Sequence, residues 1–167
     1  MMKLMIILFV VFVYLNLNLT SKNKAKTENM NCVRSNEDIR QAIDIWFEKP
    51  EECIKICGHI SRWDVSKITD MSNLFKCRES FNEPIGKWDV SNVTNMNGMF
   101  AGASSFNQSI DSWDVSNVSV MRYMFAGASS FNQRICHWNV SNVTDMTGMF
   151  DFWINVFCKY EGVIKYY

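Results

Sequence analysis

The sequence predicts an α/β solenoid, a stack of 25-residue strand–turn–short helix units behind an N-terminal helical cap. Three observations carry that expectation. Trp63, Trp88, Trp113 and Trp138 recur at a constant interval of 25 residues without a gap, and a fixed period of this length marks repeat arrays. Within each interval the apolar spacing changes from two to three and four, so each unit should hold one extended and one helical piece. Ahead of the first unit lies an amphipathic stretch suited to covering the open end of a stacked core.

The units open on Trp-Asp-Val-Ser at 63, 88 and 113 and on Trp-Asn-Val-Ser at 138. Met71, Met96, Met121 and Met146 form one column, and Leu74, Met99, Met124 and Met149 a second. Phe75, Phe100, Phe125 and Phe150 form a third, while Phe81, Phe106 and Phe131 each precede an asparagine, Asn82, Asn107 and Asn132. Ile85, Ile110 and Ile135 close the units, and the second and third units agree at 18 of 25 positions. Trp113 and Val115 stand two apart with Asp114 between them, which predicts a strand. Val118, Met121, Met124 and Phe125 then share one helical face, with Ser66 or Thr69 capping the corresponding helix of unit one and Asp70 in its first turn. Gly102 and Gly127, each followed by Ala-Ser-Ser, read as turns. The Met and Phe columns read as core rather than as a cofactor site.

Residues 35–60 read as the cap. Ser35 or Asn36 caps a helix that places Ile39, Ala42, Ile43, Trp46 and Phe47 on one face, Pro50 ends it, and Glu51 to Cys57 supply a second helical turn. Residues 1–21 read as a signal peptide or signal-anchor, because the Lys3 start is followed by an uncharged apolar run from Leu4 to Leu15, shorter than a bilayer span. Residues 22–34 form a polar linker, residues 61–150 the repeat array, and residues 151–167 a degenerate cap or tail. The six cysteines of an exported chain suit an oxidising compartment and allow 15 pairings, with a zinc site at Cys53 and Cys57 the weaker reading.

Lys and Arg number 17, as do Asp and Glu, so the formal net charge is zero and nothing steers the chain toward nucleic acid. The carboxylates are spread by the repeat instead of paired. There is no Gly-rich phosphate loop or His-Glu-x-x-His. The chain is therefore read as no enzyme, with no cofactor and no metal.

The run Trp-Asp-Val-Ser-Asn-Val-Thr-x-Met-x-x-Met-Phe-x-Gly-Ala-Ser-Ser-Phe-Asn-Gln-x-Ile, at 88–110, resembles the repeat of the BspA-type leucine-rich-repeat surface proteins, also known as the mycoplasma-lipoprotein type of unknown function. The likeness covers about Gly58 to Phe150. It implies a leucine-rich-repeat-like stack, export and surface display, and adhesion or recognition of a protein or glycan, and it carries no active site. The positions before Trp vary and set specificity in this reading: Arg62, Lys87, Ser112 and His137. Asp64, Asp89, Asp114 and Asn139 lie beside them, where a solvated or turn-bonding role is favoured over calcium. Asn82, Asn107 and Asn132 read as an amide ladder. Asn92, Asn117 and Asn142 are candidate glycosylation sites, because the repeat itself spells Asn-Val-Ser/Thr. The expected location is secreted or at the cell surface, with membrane contact only through an uncleaved N-terminal segment. A self-assembling coat component, or a degenerate fragment of a longer repeat protein, is the alternative.

Overall fold

The computed structural model describes residues 32–150. The expected signal segment, most of the linker and the expected tail lie outside them. The cap region holds helix α1 (Ile39–Glu48), helix α2 (Pro50–Cys57) and a short 3-10 turn (Ile60–Arg62). The apolar spacing of α1 buries Ile39, Ala42, Ile43 and Trp46 against the array. Neither Ser35 nor Asn36 caps it. The residue before the helix is Asp38, with no side-chain cap bond, and its Oδ1 instead accepts from the backbone N–H of Ser35. Pro50 starts α2 at its first position, where the missing N–H costs nothing.

The 25-residue units are not what their spacing predicts. Among the described residues there is no strand, and no helix lies beyond Arg62, so the α/β solenoid of strand–turn–helix units is overturned. Only isolated parallel bridges occur: Val33 with Asp64, and the chain Asp70–Asn95–Val120–Asp145.

The backbone explains why. The N–H groups of Met71, Asn73, Phe75 and Cys77 donate to the carbonyls of Asn95, Asn97, Met99 and Ala101 in the next unit. The intervening N–H groups of Leu74, Lys76 and Arg78 donate three residues back, to Met71, Asn73 and Phe75. Every second donor thus leaves the unit and every other one closes a turn, a pattern incompatible with the i to i−4 ladder of a helix. Left-handed backbone recurs at Asn73 (φ 55°), Gly98 (φ 59°), Tyr123 (φ 50°) and Gly148 (φ 61°), and again four residues on at Cys77 (φ 58°), Gly102 (φ 72°) and Gly127 (φ 71°). Two such residues within five positions stop a right-handed helix. The same alternation repeats where Met96, Gly98, Phe100 and Gly102 donate to Val120, Arg122, Met124 and Ala126, and where Met121, Tyr123 and Phe125 donate to Asp145, Thr147 and Met149.

Beyond the Val33–Asp64 bridge, the Trp-x-Val pieces do not pair as strands. Trp88 and Val93 donate their N–H groups to Ile85 and Val90 in local turns. The indole, not the backbone, reaches across: Trp88 Nε1 donates to Ile60 O at 2.9 Å, Trp113 to Ile85 at 3.3 Å and Trp138 to Ile110 at 3.1 Å.

One continuous apolar core fills the array. Phe75, Phe100, Phe125 and Phe150 stack with centroids 5.5, 5.5 and 5.6 Å apart. Phe81, Phe106 and Phe131 form a parallel stack at 5.7 and 5.8 Å. Within units the two stacks touch at 3.8, 4.0 and 4.2 Å. Near-parallel rings at these separations add a modest attraction to the burial of two aromatic columns.

The cap substitutes for a missing unit before Trp63. Thr94 and Asn95 donate their N–H groups to Thr69 O, whereas Thr69 and Asp70 donate theirs to the side-chain Oδ1 of Asn36. Ser72 O has no preceding unit to bond and is taken by the Arg40 guanidinium. Phe47 covers the end of the second ring stack, tilted 58° to Phe81 at 6.0 Å. Trp46 meets Trp63 edge-on at 6.1 Å. A disulfide between Cys32 and Cys57 fastens the whole. Cys57 is therefore no zinc ligand; Cys53 remains a buried thiol whose titration burial pushes up.

Candidate functional site

The repeat sets three rows of polar side chains on the surface, and they differ in how much of their bonding capacity is used. Asp64, Asp89, Asp114 and Asn139 each turn Oδ1 back to accept the backbone N–H two residues on, from Ser66, Ser91, Ser116 and Ser141, at 3.0, 3.1, 3.0 and 3.2 Å. The Ser66 and Ser91 hydroxyls donate to the same atoms at 2.6 Å. This is the Asx-turn. The hydroxyl of Ser66, then its N–H, holds the Asp64 carboxyl below the usual aspartate range, and Ser116 does the same to Asp114. These carboxylates shape the chain where it bends. Among the described residues no three His, Cys, Asp or Glu side chains converge on a metal-sized site.

The second row is the amide ladder. Asn82 Oδ1 accepts the N–H of Asn107 at 2.9 Å, and Asn107 Oδ1 that of Asn132 at 2.9 Å. Gln108 and Gln133 add their amides to the same oxygens at 3.1 and 2.9 Å. The third row comprises the candidate glycosylation residues. Asn92, Asn117 and Asn142 are exposed, but Nδ2 of each donates to a carbonyl of the preceding unit, Ser66, Ser91 and Ser116, at 2.8, 2.8 and 2.7 Å.

The row before Trp is different. Arg62, Lys87, Ser112 and His137 are all exposed. Of these only Ser112 is tied across units, its hydroxyl donating to Gly86 O at 2.9 Å. The array thus places a cation, a second cation, a hydroxyl and an imidazole at equivalent points of four successive units.

Arg122 and Tyr123 form a further exposed cluster that the sequence reading missed. The Arg122 guanidinium lies 5.3 Å from the Tyr123 ring centroid, and its Nε is 3.6 Å from Asp145 Oδ2. Tyr123 is 37% exposed and holds φ at 50° where the second and fourth units have glycine. A tyrosine in that region is strained relative to glycine. The legible signal is the departure itself: Arg-Tyr stands where unit two has Asn97-Gly98.

A shallow cavity of about 260 Å³ lies between α1 and unit one, lined by Arg40, Asp44, Asn73, Lys76, Cys77 and Arg78 among others. Its charges are largely satisfied internally, Arg40 by Ser72 and Asp70, and Arg78 by Asp44. Among the described residues no helix is long and apolar enough to cross a membrane.

A family model described as "Mycoplasma protein of unknown function, DUF285" matches residues 41–157. No curated protein and no solved structure matches the chain.

Proposed function

The chain belongs to the DUF285 family of mycoplasma proteins of unknown function, and from that premise we propose that it is a non-catalytic binding module, secreted or displayed at a cell surface, that recognises a protein or glycan. The observation that supports this reading most is the division of labour among exposed side chains. The recurring polar residues spend their bonding groups on the frame: the Asx-turn aspartates close turns within their own units, and both asparagine rows hold unit to unit. The exposed residues that differ from unit to unit, Arg62, Lys87 and His137, have no such duty. Side chains that vary on a rigid, repeated frame are what a recognition surface requires. The sequence likeness of residues 88–110 to the BspA-type repeat points the same way, toward adhesion. Asp64, Asp89, Asp114 and Asn139 support the surface by shaping its turns, and Arg122 with Tyr123 supplies an Arg–aromatic pair of the kind enriched at binding hot spots.

The test is a screen of the exported chain against a glycan array and a surface-protein pull-down, repeated with Arg62, Lys87 and His137 changed together to alanine. Binding that survives this triple change and Tyr123→Ala undiminished sinks the proposal. Loss of about tenfold or more in affinity on the triple change alone, at unchanged stability, supports the row before Trp as the contact surface.

A further inference from the structure

We propose that Ser61 is an acylation site, a hydroxyl set up by His59 and Glu83 to take one acyl group from an activated carboxylic ester. Its chemistry does not depend on what the array binds.

Three side chains meet where the cap joins the first unit. His59 Nδ1 lies 2.8 Å from Ser61 Oγ, and His59 Nε2 lies 3.2 Å from Glu83 Oε2. The backbone decides the roles of the two ring nitrogens. The N–H of Ser61 donates to Nδ1 at 3.3 Å, and an N–H can only donate. Nδ1 is therefore the bare, accepting nitrogen, and the ring proton sits on Nε2, toward the Glu83 carboxylate. Hydroxyl, base nitrogen and orienting carboxylate then stand in the order that general-base activation of a serine needs. Trp46 of α1 meets the imidazole edge-on, with centroids 5.0 Å apart, so the ring is held by three partners. Ser61 is half-buried, and the side chains of His59 and Glu83 are 38% and 36% exposed, so a reagent can reach the site.

The repeated frame does not require this cluster. One unit on, Pro84 and Gly86 stand in the places of His59 and Ser61, and two units on, Ser109 and Asp111 do. The place of Glu83 is taken by Gln108 and Gln133, whose amides serve the ladder on Asn82 and Asn107. The hydroxyls of Ser66 and Ser91 differ in their acceptor. They donate to the carboxylates of Asp64 and Asp89, which are far weaker bases than an imidazole.

The step balances between site and donor. As Ser61 Oγ attacks the carbonyl carbon, its proton passes to His59 Nδ1, and Glu83 faces the imidazolium that forms. The bond from the carbonyl carbon to the leaving oxygen breaks, the leaving alcohol takes the proton from Nδ1, and the acyl group stays on Ser61 as an ester. The neighbouring backbone donors are already spent: the N–H of Ser61 on His59 Nδ1, that of Arg62 on His59 O and that of Trp63 on Ile60 O. None of the three is left to hold an oxyanion, the contribution that drives turnover in serine hydrolases. Ser61 thus takes an acyl group once and keeps it, in keeping with a module that is not an enzyme.

The test uses the full chain with its disulfides intact and its exposed thiol, Cys77, blocked with iodoacetamide. The probe is p-nitrophenyl acetate. Peptide mapping is expected to place one acetyl group on Ser61, at least about 100-fold faster than on Ser66 or Ser91. Ser61→Ala should abolish the fast release of nitrophenolate. His59→Gln should slow labelling of Ser61 by about 100-fold and Glu83→Gln by at least about tenfold. If the His59 variant does not fold, Glu83→Gln and the map of the unaltered chain decide. Labelling of Ser61 no faster than that of Ser66 and Ser91 overturns the proposal, as does labelling that Glu83→Gln or a folded His59→Gln leaves unchanged. So does fast release that persists in Ser61→Ala, because the imidazole would then be the nucleophile. Release that continues beyond one equivalent while the lysines stay unmodified overturns the single acylation, because the ester would then be hydrolysed.

Discussion

Replacing Asn107 by alanine tests whether the amide ladder holds the units together. Asn107 Oδ1 accepts two bonds from the next unit, from Asn132 N–H and Gln133 Nε2, both at 2.9 Å. Its own N–H donates to Asn82 Oδ1 through the backbone and survives the change. Each lost bond is worth roughly 0.5–1.5 kcal/mol. The residue is exposed, so water reaches the freed donors and no burial penalty is added. The Gln133 amide also keeps a second acceptor, Asn107 O at 3.0 Å, so the expected loss falls short of two full bonds, about 1–2 kcal/mol. With a urea dependence of ~2 kcal/mol per molar, the midpoint of unfolding should fall by roughly 0.5–1 M at unchanged slope. Asn107→Asp is the control. It keeps the accepting oxygen, replaces an amide nitrogen that donates to nothing in the structure, and adds a charge that water screens at this exposed position, so it should unfold within a few tenths of a molar of the parent. If alanine costs nothing, the ladder is ornamental. If aspartate is as harmful as alanine, the asparagine acts through its nitrogen and the geometry described above is wrong.

Phe106→Ala removes a ring that is fully buried and stacked on Phe81, Phe100 and Phe131, and should cost about 3–5 kcal/mol in the same denaturation measurement. Exchanging Cys32 and Cys57 together for serine opens a loop of 25 residues and should cost about 3.5 kcal/mol on the chain-entropy account, read as a lower midpoint without reductant and an unchanged one with it. Stability should also depend on acid. The folded carboxyls of Asp64, Asp114 and Asp145 are lowered, chiefly by bonds from Ser66, Ser116 and the Thr147 backbone. Their contribution is therefore complete above the unfolded aspartate value, about 4, and disappears as the pH falls through the lower folded values. Asp114→Asn keeps the turn's acceptor, as Asn139 already does in unit four, and should flatten the fall in urea midpoint between pH ~5 and ~3.

The repeat, its core columns and α1 were legible because each rests on burial, and burial leaves a period in the sequence. Trp88, Val90, Met96, Phe100 and Phe106 lie inside as their columns require. The secondary structure assigned to that burial was not legible. Val118, Met121, Met124 and Phe125 fit a helical face and face the core, yet the path between them is a run of turns. Apolar spacing reports which side chains point inward, not how the backbone bonds. The backbone signal was present at the wrong scale: Gly98, Gly102, Gly127 and Gly148 mark left-handed positions in several units, while Asn73, Cys77 and Tyr123 hide the same geometry in the others. The bonds by which Asn36 and Arg40 close the first unit were invisible for a different reason. Their partners, Thr69, Asp70 and Ser72, lie some thirty residues away, and no local pattern connects them.

The recurrence of the glycosylation motifs has a structural cause of its own. In Asn92-Val93-Thr94 the asparagine Nδ2 donates to Ser66 O and the threonine hydroxyl to Thr69 O, at 2.8 and 3.2 Å. The pairs Asn117 with Ser119 and Asn142 with Thr144 do the same one and two units on. Each half of the motif has a separate carbonyl of the preceding unit to satisfy, so the array would write Asn-Val-Ser/Thr without any glycan. The first unit agrees with this. It has no array unit before it to supply those carbonyls, and Lys67, exposed, stands in the asparagine's place. The atom that would carry a sugar is the same atom that bridges the units, and only one of its two hydrogens is left free for substitution. What recurs in this chain is therefore scaffold, and what interrupts the recurrence, at Arg62, Lys87, His137 and Arg122 with Tyr123, is where the recognition proposed above would act.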